Sequence, residues 1–395
     1  MAAGSKQYEV IVIGAGMMGS SAARHLVGLG VKTLLVGQEE PTEKARHDGV
    51  FASHYDQARI TRQLDSKADW ARFSSRSIAR YAEIETAGEQ TFFHPVGALI
   101  AGPDKGEGAW LVERSRKVAA DQDIAHEDLD AAGLARRFPF FAFPEEVVGL
   151  YETGTGGWIN PRAHVTAEIT AAQRGGADVL RGEVVDVEYG KGQVTVTCAD
   201  GQQFNAGKVV VACGPFSKAE GLLIEPIPMT VYARTIAFLE IDEAEAERLA
   251  EMPSMIYMPP DLSYEPYMLP PVRYPDGKLY LKIGGDPVDV PLETLEEMKD
   301  WFRGPGNAEV AEFLAEKFKE LMPGLDCKSL SFGSCATSFT PKGNPLIYAQ
   351  SDQCVVLTAG NGAGAKCGDE LGRLGALVAS GQGMPAGAYL TDFKP

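Results

Sequence analysis

Residues 8–13 (YEVIVI) form a short, apolar, β-branched run, and such runs make strands buried on both faces. Gly14 to Gly19 follows, and then SAARHLVGLG, an Ala- and Leu-containing stretch that predicts a helix ending near Gly30. Residues 31–36 (VKTLLV) are the next strand. The chain therefore opens as strand, glycine loop, helix, strand. A further helix is expected over 68–85. Between about residues 90 and 150, Pro95, Pro103, Pro139 and Pro144 interrupt short apolar runs, which reads as an inserted region. A helix over 164–174 and strands at 184–189, 193–198 and 208–212 return to the α/β pattern of the opening. A second Pro-rich insertion covers about 220–325, with strands at 231–239 and 279–283. Its acidic stretch IDEAEAERLAEM reads as a solvated helix face. Near the end, 353–358 (QCVVLT) is a strand entering a second glycine-rich loop, AGNGAGAKCGDELG, followed by the helix LGRLGALVASG.

Composition narrows the setting. With 395 residues, 45% of them hydrophobic, the chain can bury a large core and suggests two domains. The net charge of −17 argues against nucleic acid or an anionic membrane surface as partner. Six cysteines form no CxxC pair and have no histidine cluster beside them, so no metal site is expected. The start, MAAGSKQYEV, has no apolar signal core, no run approaches the roughly 18 apolar residues of a membrane span, and TDFKP is not a peroxisomal address. A cytoplasmic protein is the expectation.

The first motif with chemistry is Gly14-Ala15-Gly16-Met17-Met18-Gly19. Gly14 permits a tight turn, Gly16 lets the backbone approach a pyrophosphate, and Gly19 lets helix and strand pack closely. The helix start offers unpaired N–H groups and the positive end of its dipole to phosphates. An acidic residue usually ends the second strand and binds the adenosine ribose. Here Gly37-Gln38-Glu39-Glu40 follows, so either Glu39 substitutes or backbone and water bind the ribose. The chain leaves this unit and returns to a glycine-rich loop at its far end, which suits FAD better than NAD. N–H groups of that second loop, around Gly362 and Gly364, are expected at the flavin.

Several separate segments now resemble one family: GVKTLLV, ASHYDQARITR, KLYLKIGGD, SCATSFTPKGNPLI and TAGNGAGAK. They are similar, in order, to the monomeric sarcosine oxidase group within the D-amino-acid-oxidase-like flavoproteins. The resemblance covers most of the chain. It implies an α/β fold, a Rossmann-type FAD-binding domain interleaved with an α+β substrate domain built on a mostly antiparallel sheet. The expected division gives residues 1–90, 150–220 and 325–395 to the FAD-binding domain, and 91–149 and 221–324 to the substrate domain.

The resemblance also implies roles. Cys335, in Cys335-Ala336-Thr337, falls where the family bonds FAD through a thioether. Lys282 matches the lysine beside the flavin that assists oxygen reduction, where a fixed cation suits developing negative charge. Arg62 and Lys366 match a pair of substrate-carboxylate ligands, and Arg59 a residue beside the flavin ring. His54, Tyr55 and Val184 are expected to contact the cofactor, and Tyr267 to line the substrate pocket. Asp286 is a departure, because relatives often have His there, and it bears on substrate choice. The implied reaction is oxidation of a secondary or N-methylated amino acid to an imine, with O₂ reduced to H₂O₂. A dehydrogenase using another acceptor and a non-catalytic flavin-binding protein are the alternatives. The implied partners are a small amine and O₂.

Overall fold

The computed structural model describes residues 7–395, so most of the MAAGSKQ start lies outside the described residues. An eight-stranded sheet is built around Gln7–Ile13. That strand pairs in parallel with Thr33–Gly37 on one side and Gln203–Val211 on the other, with Ile13 opposite Val36 and Val211. Asp178–Arg181 extends the sheet beyond Thr33–Gly37 in parallel. Cys354–Thr358 runs parallel to the end of Gln203–Val211, and Leu346–Ser351 folds back on it. A meander of Val184–Tyr189 and Val194–Cys198 completes the other edge.

The apolar run of the first strand explains its place. Val10 and Val12 face one layer, packing on Ala22, Leu26, Ile169, Leu371 and Leu374. Ile11 and Ile13 face the other, against Val187, Val196 and Val209. The first layer holds three helices, Met17–Gly28, Pro161–Arg174 and Gly364–Ala379.

A nine-stranded sheet stands beside this unit. Its long strand Thr230–Ile241 pairs antiparallel with Leu279–Gly284 and, over nearly its whole length, with Ser329–Phe339. Tyr267–Arg273, Ser254–Tyr257, Ala98–Pro103, Val147–Glu152 and Glu127–Leu129 follow in that order, antiparallel except where Ser254–Tyr257 meets Ala98–Pro103. Leu314 and Phe318 of the helix Ala308–Leu321 cover Leu239, Leu281 and Ile283. A small sheet joins Arg59–Thr61, Gly157–Ile159 and Phe93–His94.

Three elements differ from the sequence reading. The helix expected over 68–85 is two, Ala68–Ile78 and Tyr81–Gly88, and Arg80 at the break turns its guanidinium to Asp369 and Glu370. The acidic stretch forms only Glu243–Arg248, and Glu245 is buried there, held by Arg248 and by the backbone N–H of Asp326. The last helix starts at Gly364, inside the expected glycine loop. Gly368 and Gly372 belong to its contact face with the first helix, where a Cβ on Gly372 would lie 2.5 Å from Ser21 Cβ and 2.7 Å from Met18 O. Among the described residues no helix is long and apolar enough to cross a membrane.

Candidate active site

The glycines of the first loop are set by contact. Gly14 has φ +104° and donates its N–H to Val36 O at 2.7 Å, and a Cβ there would lie 2.5 Å from Ala212 O. A Cβ on Gly19 would lie 1.8 Å from Gly14 O. Gly16 is the N-cap of the first helix, with open space above it up to His54 Nδ1 at 3.9 Å. Gly37, which the sequence reading did not single out, is equally constrained, since its Cβ would meet Ala15 N at 2.4 Å. The second loop reaches Gly364 through Asn361 and Gly362, both with positive φ. Asn361 locks it by accepting from Thr340 N at 3.0 Å.

Both loops open on one cavity of about 780 Å³, within the usual range for a cofactor pocket. Gly14, Gly16, His54, Tyr55, Arg59, Val184, Cys335, Gly362 and Gly364 line it. Three buried polar atoms on its walls have no partner in the protein: Gln38 Oε1, His54 Nδ1 and Thr337 Oγ1. Buried polar groups are rarely left unmatched, so these point to a polar ligand. Two helix N-termini, a bare backbone with open space at Gly16, and orphaned polar atoms along the wall together fit FAD. Burial, with Arg162 nearby, lowers the His54 imidazole to about 3, so His54 stays neutral.

Glu39 stands outside this lining. Its carboxylate pairs with Arg181 at 3.3 Å in solvent, and its backbone carbonyl accepts from Tyr55 OH. Gln38 faces the cavity instead, donating to Glu183 Oε2 at 3.0 Å, and Glu183 also accepts from Val50 N.

At the other end of the cavity the buried thiol of Cys335 lies 3.4 Å from Arg59 Nη2. Trp301 Nε1 donates to Cys335 O at 2.7 Å and fixes that point of the strand. Lys44 donates to the neighbouring Ser334 hydroxyl at 3.0 Å, and burial lowers its ammonium below the ordinary lysine value. Arg59 is anchored by Ser53 O at 3.1 Å and by Asp56 Oδ2 at 3.0 Å.

Lys282 comes from the middle of Leu279–Gly284 and is 1% exposed. Its Nζ donates to Asp56 Oδ2 at 2.5 Å and to Ala58 O at 2.7 Å, and it lies 5.7 Å from the centre of the Tyr267 ring. Tyr267 sits over Gly284, whose missing Cβ makes room for the ring. Burial pushes the Tyr267 hydroxyl well above its ordinary value. Asp286 turns toward the long strand, accepting from Thr235 N at 2.9 and 3.2 Å, and burial raises its carboxyl.

Arg62 and Lys366 converge, but on a carboxylate of the protein. Lys366 Nζ donates to Asp65 Oδ2 at 2.8 Å, with Ser74 Oγ at 3.4 Å and Trp70 O at 3.5 Å. Arg62 Nη2 stands 3.6 Å from the same oxygen, and Arg62 Nε is buried without a partner. Burial works against ionisation of Asp65, but Lys366 and Arg62 outweigh it and hold the carboxyl below its ordinary range. Asp56 and Asp65 were missed from sequence. Their only signal is an acid three residues from an arginine, Asp56 before Arg59 and Asp65 after Arg62.

Residues 9–376 match the family described as FAD dependent oxidoreductase, DAO. Monomeric sarcosine oxidase of Arthrobacter sp. (strain TE1826) is 28% identical over 389 residues, covering 95% of this chain and 94% of the relative. N-methyl-L-tryptophan oxidase of Yersinia pestis (strain Pestoides F) is 24% identical over 383 residues, covering 96% of each. The fold is similar to the solved structure of NikD, an unusual amino acid oxidase essential for nikkomycin biosynthesis. The TM-score is 0.78 at 21% identity, over 99% of this chain and 98% of that one.

Proposed function

The chain belongs to the DAO family of FAD-dependent oxidoreductases, and from that premise we propose that it oxidises a secondary or N-methylated amino acid to an imine, with O₂ as the electron acceptor. Two relatives named for oxidation of N-methylated amino acids support this substrate class. The observation that carries the reading is a run of contacts from Cys335 at the cavity wall through Arg59 and Asp56 to the buried Lys282 ammonium. A passive carrier of flavin has no need of that fixed positive charge.

Bound FAD supplies the two-electron redox chemistry. Arg62 and Lys366 are the proposed carboxylate ligands. The Lys366 protons already have three acceptors, so Arg62, with its unpartnered Nε, takes the larger part. The substrate reacts as a neutral amine: it would give up a hydride equivalent from carbon and a proton from nitrogen to become the imine, and water would hydrolyse the product. No base residue is assigned. Lys282 is proposed to offer positive charge where oxygen gains electrons, with Tyr267, whose ring centre lies 5.7 Å from its ammonium, as the neighbouring pocket residue. Cys335 is the proposed point of covalent attachment, supported by the Arg59 guanidinium at its sulfur. At the ribose end the contacts of Gln38 and Glu183 support these two over Glu39.

The two-domain division is proposed on sheet membership, with one change: Ser329–Phe339, expected in the FAD-binding domain, pairs with Thr230–Ile241 and goes with the substrate domain. Strands of the eight-stranded sheet come from within 7–37, 178–211 and 346–358. Six cysteines without disulfides support a reducing, cytoplasmic compartment.

The test is an anaerobic screen of N-methyl and cyclic amino acids for bleaching of the yellow holoenzyme, followed by oxygen. At least one should bleach it, and colour should return rapidly in air. In stopped flow, Lys282→Met should slow reoxidation by orders of magnitude while changing anaerobic reduction much less, since each ~1.4 kcal/mol of lost charge stabilisation is about tenfold. Slow reoxidation of the wild type would make the protein a dehydrogenase. No bleaching by any amine would sink the catalytic reading.

A further inference from the structure

Asp56 is a buried carboxylate with every acceptor position in use. Oδ2 takes Lys282 Nζ at 2.5 Å and Arg59 Nε at 3.0 Å. Oδ1 takes Gln57 N at 2.7 Å and the Tyr274 hydroxyl at 3.0 Å. These donors come from three places in the fold: the turn after His54, the short strand Arg59–Thr61, and two adjacent strands of the nine-stranded sheet, Tyr274 directly following the first of them. The carboxylate thus joins the arginine on Cys335 to the lysine of the adjoining sheet.

We propose that Asp56 is a positioning residue, which seats the Lys282 ammonium and the Arg59 guanidinium side by side beside the cavity. The inference rests on the redox role proposed for Lys282. Its physical basis is a count of charges. Two cations share one carboxylate oxygen in a place almost closed to water, so the cluster carries one net positive charge. Removal of the carboxylate leaves two like charges in contact. Arginine does not give up its proton in proteins, so the lysine must. The other groups facing Lys282 cannot replace Asp56. Tyr267 and Tyr274 are both held well above the ordinary tyrosine value by burial, and so stay neutral. The Cys335 thiol lies beyond Arg59.

The direction of titration agrees. Burial, the largest influence, lowers the Lys282 ammonium to about 8, Asp56 pulls it up, and Arg59 pushes it down. Burial also opposes ionisation of Asp56, but Lys282 and Arg59 outweigh it and hold the carboxyl well below the ordinary range. Without Asp56 the two largest remaining influences, burial and Arg59, both favour neutral lysine, and the weaker pull of Cys335 alone opposes them. Charge at Lys282 is then present only at lower pH and is lost as pH rises through the new, lower midpoint.

The experiment is an NMR titration of the holoenzyme carrying isotope-labelled lysine, with the Lys282 signal assigned by its loss in Lys282→Met. Asp56→Asn should move the Lys282 midpoint down by more than one pH unit. Asp56→Glu, which keeps the charge, should recover at least half of that shift. The pH profile of flavin reoxidation in Asp56→Asn should move in the same direction, with its fast limb at lower pH. An unchanged or raised midpoint in Asp56→Asn overturns the proposal. If that variant fails to fold, Asp56→Glu decides alone: a midpoint that falls by no more than one unit supports the role, and a fall of more than one unit overturns it. The titration uses no substrate, so it stands apart from the amine screen. Failure of every amine to bleach the flavin leaves the midpoint measurement intact.

Discussion

At the scale of residues, the surprise is Asp65 between Arg62 and Lys366. In the proposed clamp, a substrate carboxylate would meet two cations already half neutralised by Asp65. Each charge-assisted hydrogen bond is worth roughly 1.5–3 kcal/mol. Arg62→Ala should therefore lower kcat/KM by about 10- to 100-fold. Esterified substrate should suffer a similar loss, and equal rates on acid and ester would exclude the clamp. Lys366→Met should cost more in folding than in binding, because it strands the buried Asp65. For Cys335, acid-precipitated protein should stay yellow, and Cys335→Ala should release the colour to the supernatant. A colourless wild-type pellet would end the idea of a bond there. That Cys335, Arg59 and Lys282 would lie near one another could be anticipated because several segments resembled one family in order. The places of Asp56 and Asp65 could not, because their partners Lys282 and Lys366 lie 226 and 301 positions away. A carboxylate does not announce in the sequence which cation it will meet.

At the scale of elements, glycine was read in one sense and used in two. In the first loop it serves the backbone, as expected from strand, loop and helix. In the last helix it serves packing, which the sequence reading took for loop, since glycine is a poor helix former. The close approach of Gly372 to Met18 and Ser21 couples the two helices whose N-termini open on the cavity. Gly372→Ala should strain this crossing by roughly 1–3 kcal/mol. Lowered Tm and incomplete flavin incorporation are the expected readings. An unchanged Tm with full flavin content would mean that the helices separate without cost. The parallel strands were legible because burial on both faces leaves a near-continuous apolar run. The break at Arg80 was not, since it follows from ion pairs with the far end of the chain.

At the scale of the molecule, the helical layer is tied by buried charge. Arg24 meets Glu168 and Asp369, and Arg80 meets Asp369 and Glu370. These residues come from the first helix, the break before Tyr81–Gly88, Pro161–Arg174 and the last helix. Burial opposes ionisation of Asp369, but His25, Arg80 and Arg24 overcome it and hold the carboxyl well below its ordinary value. A depressed carboxylate contributes its full stability above its unfolded value, about 3.9, and that contribution is lost as pH falls further. Tm should hold through neutral pH and fall steeply below about pH 4. Arg80→Met, which leaves two buried carboxylates short of a partner, should cost about 3–5 kcal/mol. A Tm indifferent to both changes would show that the network contributes nothing. The two loops of the cavity have a consequence for how the protein is made. Gly14 and Gly364 are separated by about 350 residues, which a ribosome adds in roughly 20–70 s. For that interval the first βαβ turn waits without its opposite wall, and for part of it the strand Gln7–Ile13 waits for Gln203–Val211. The cavity thus gains its second wall only after that interval, and the first loop alone cannot enclose the nucleotide.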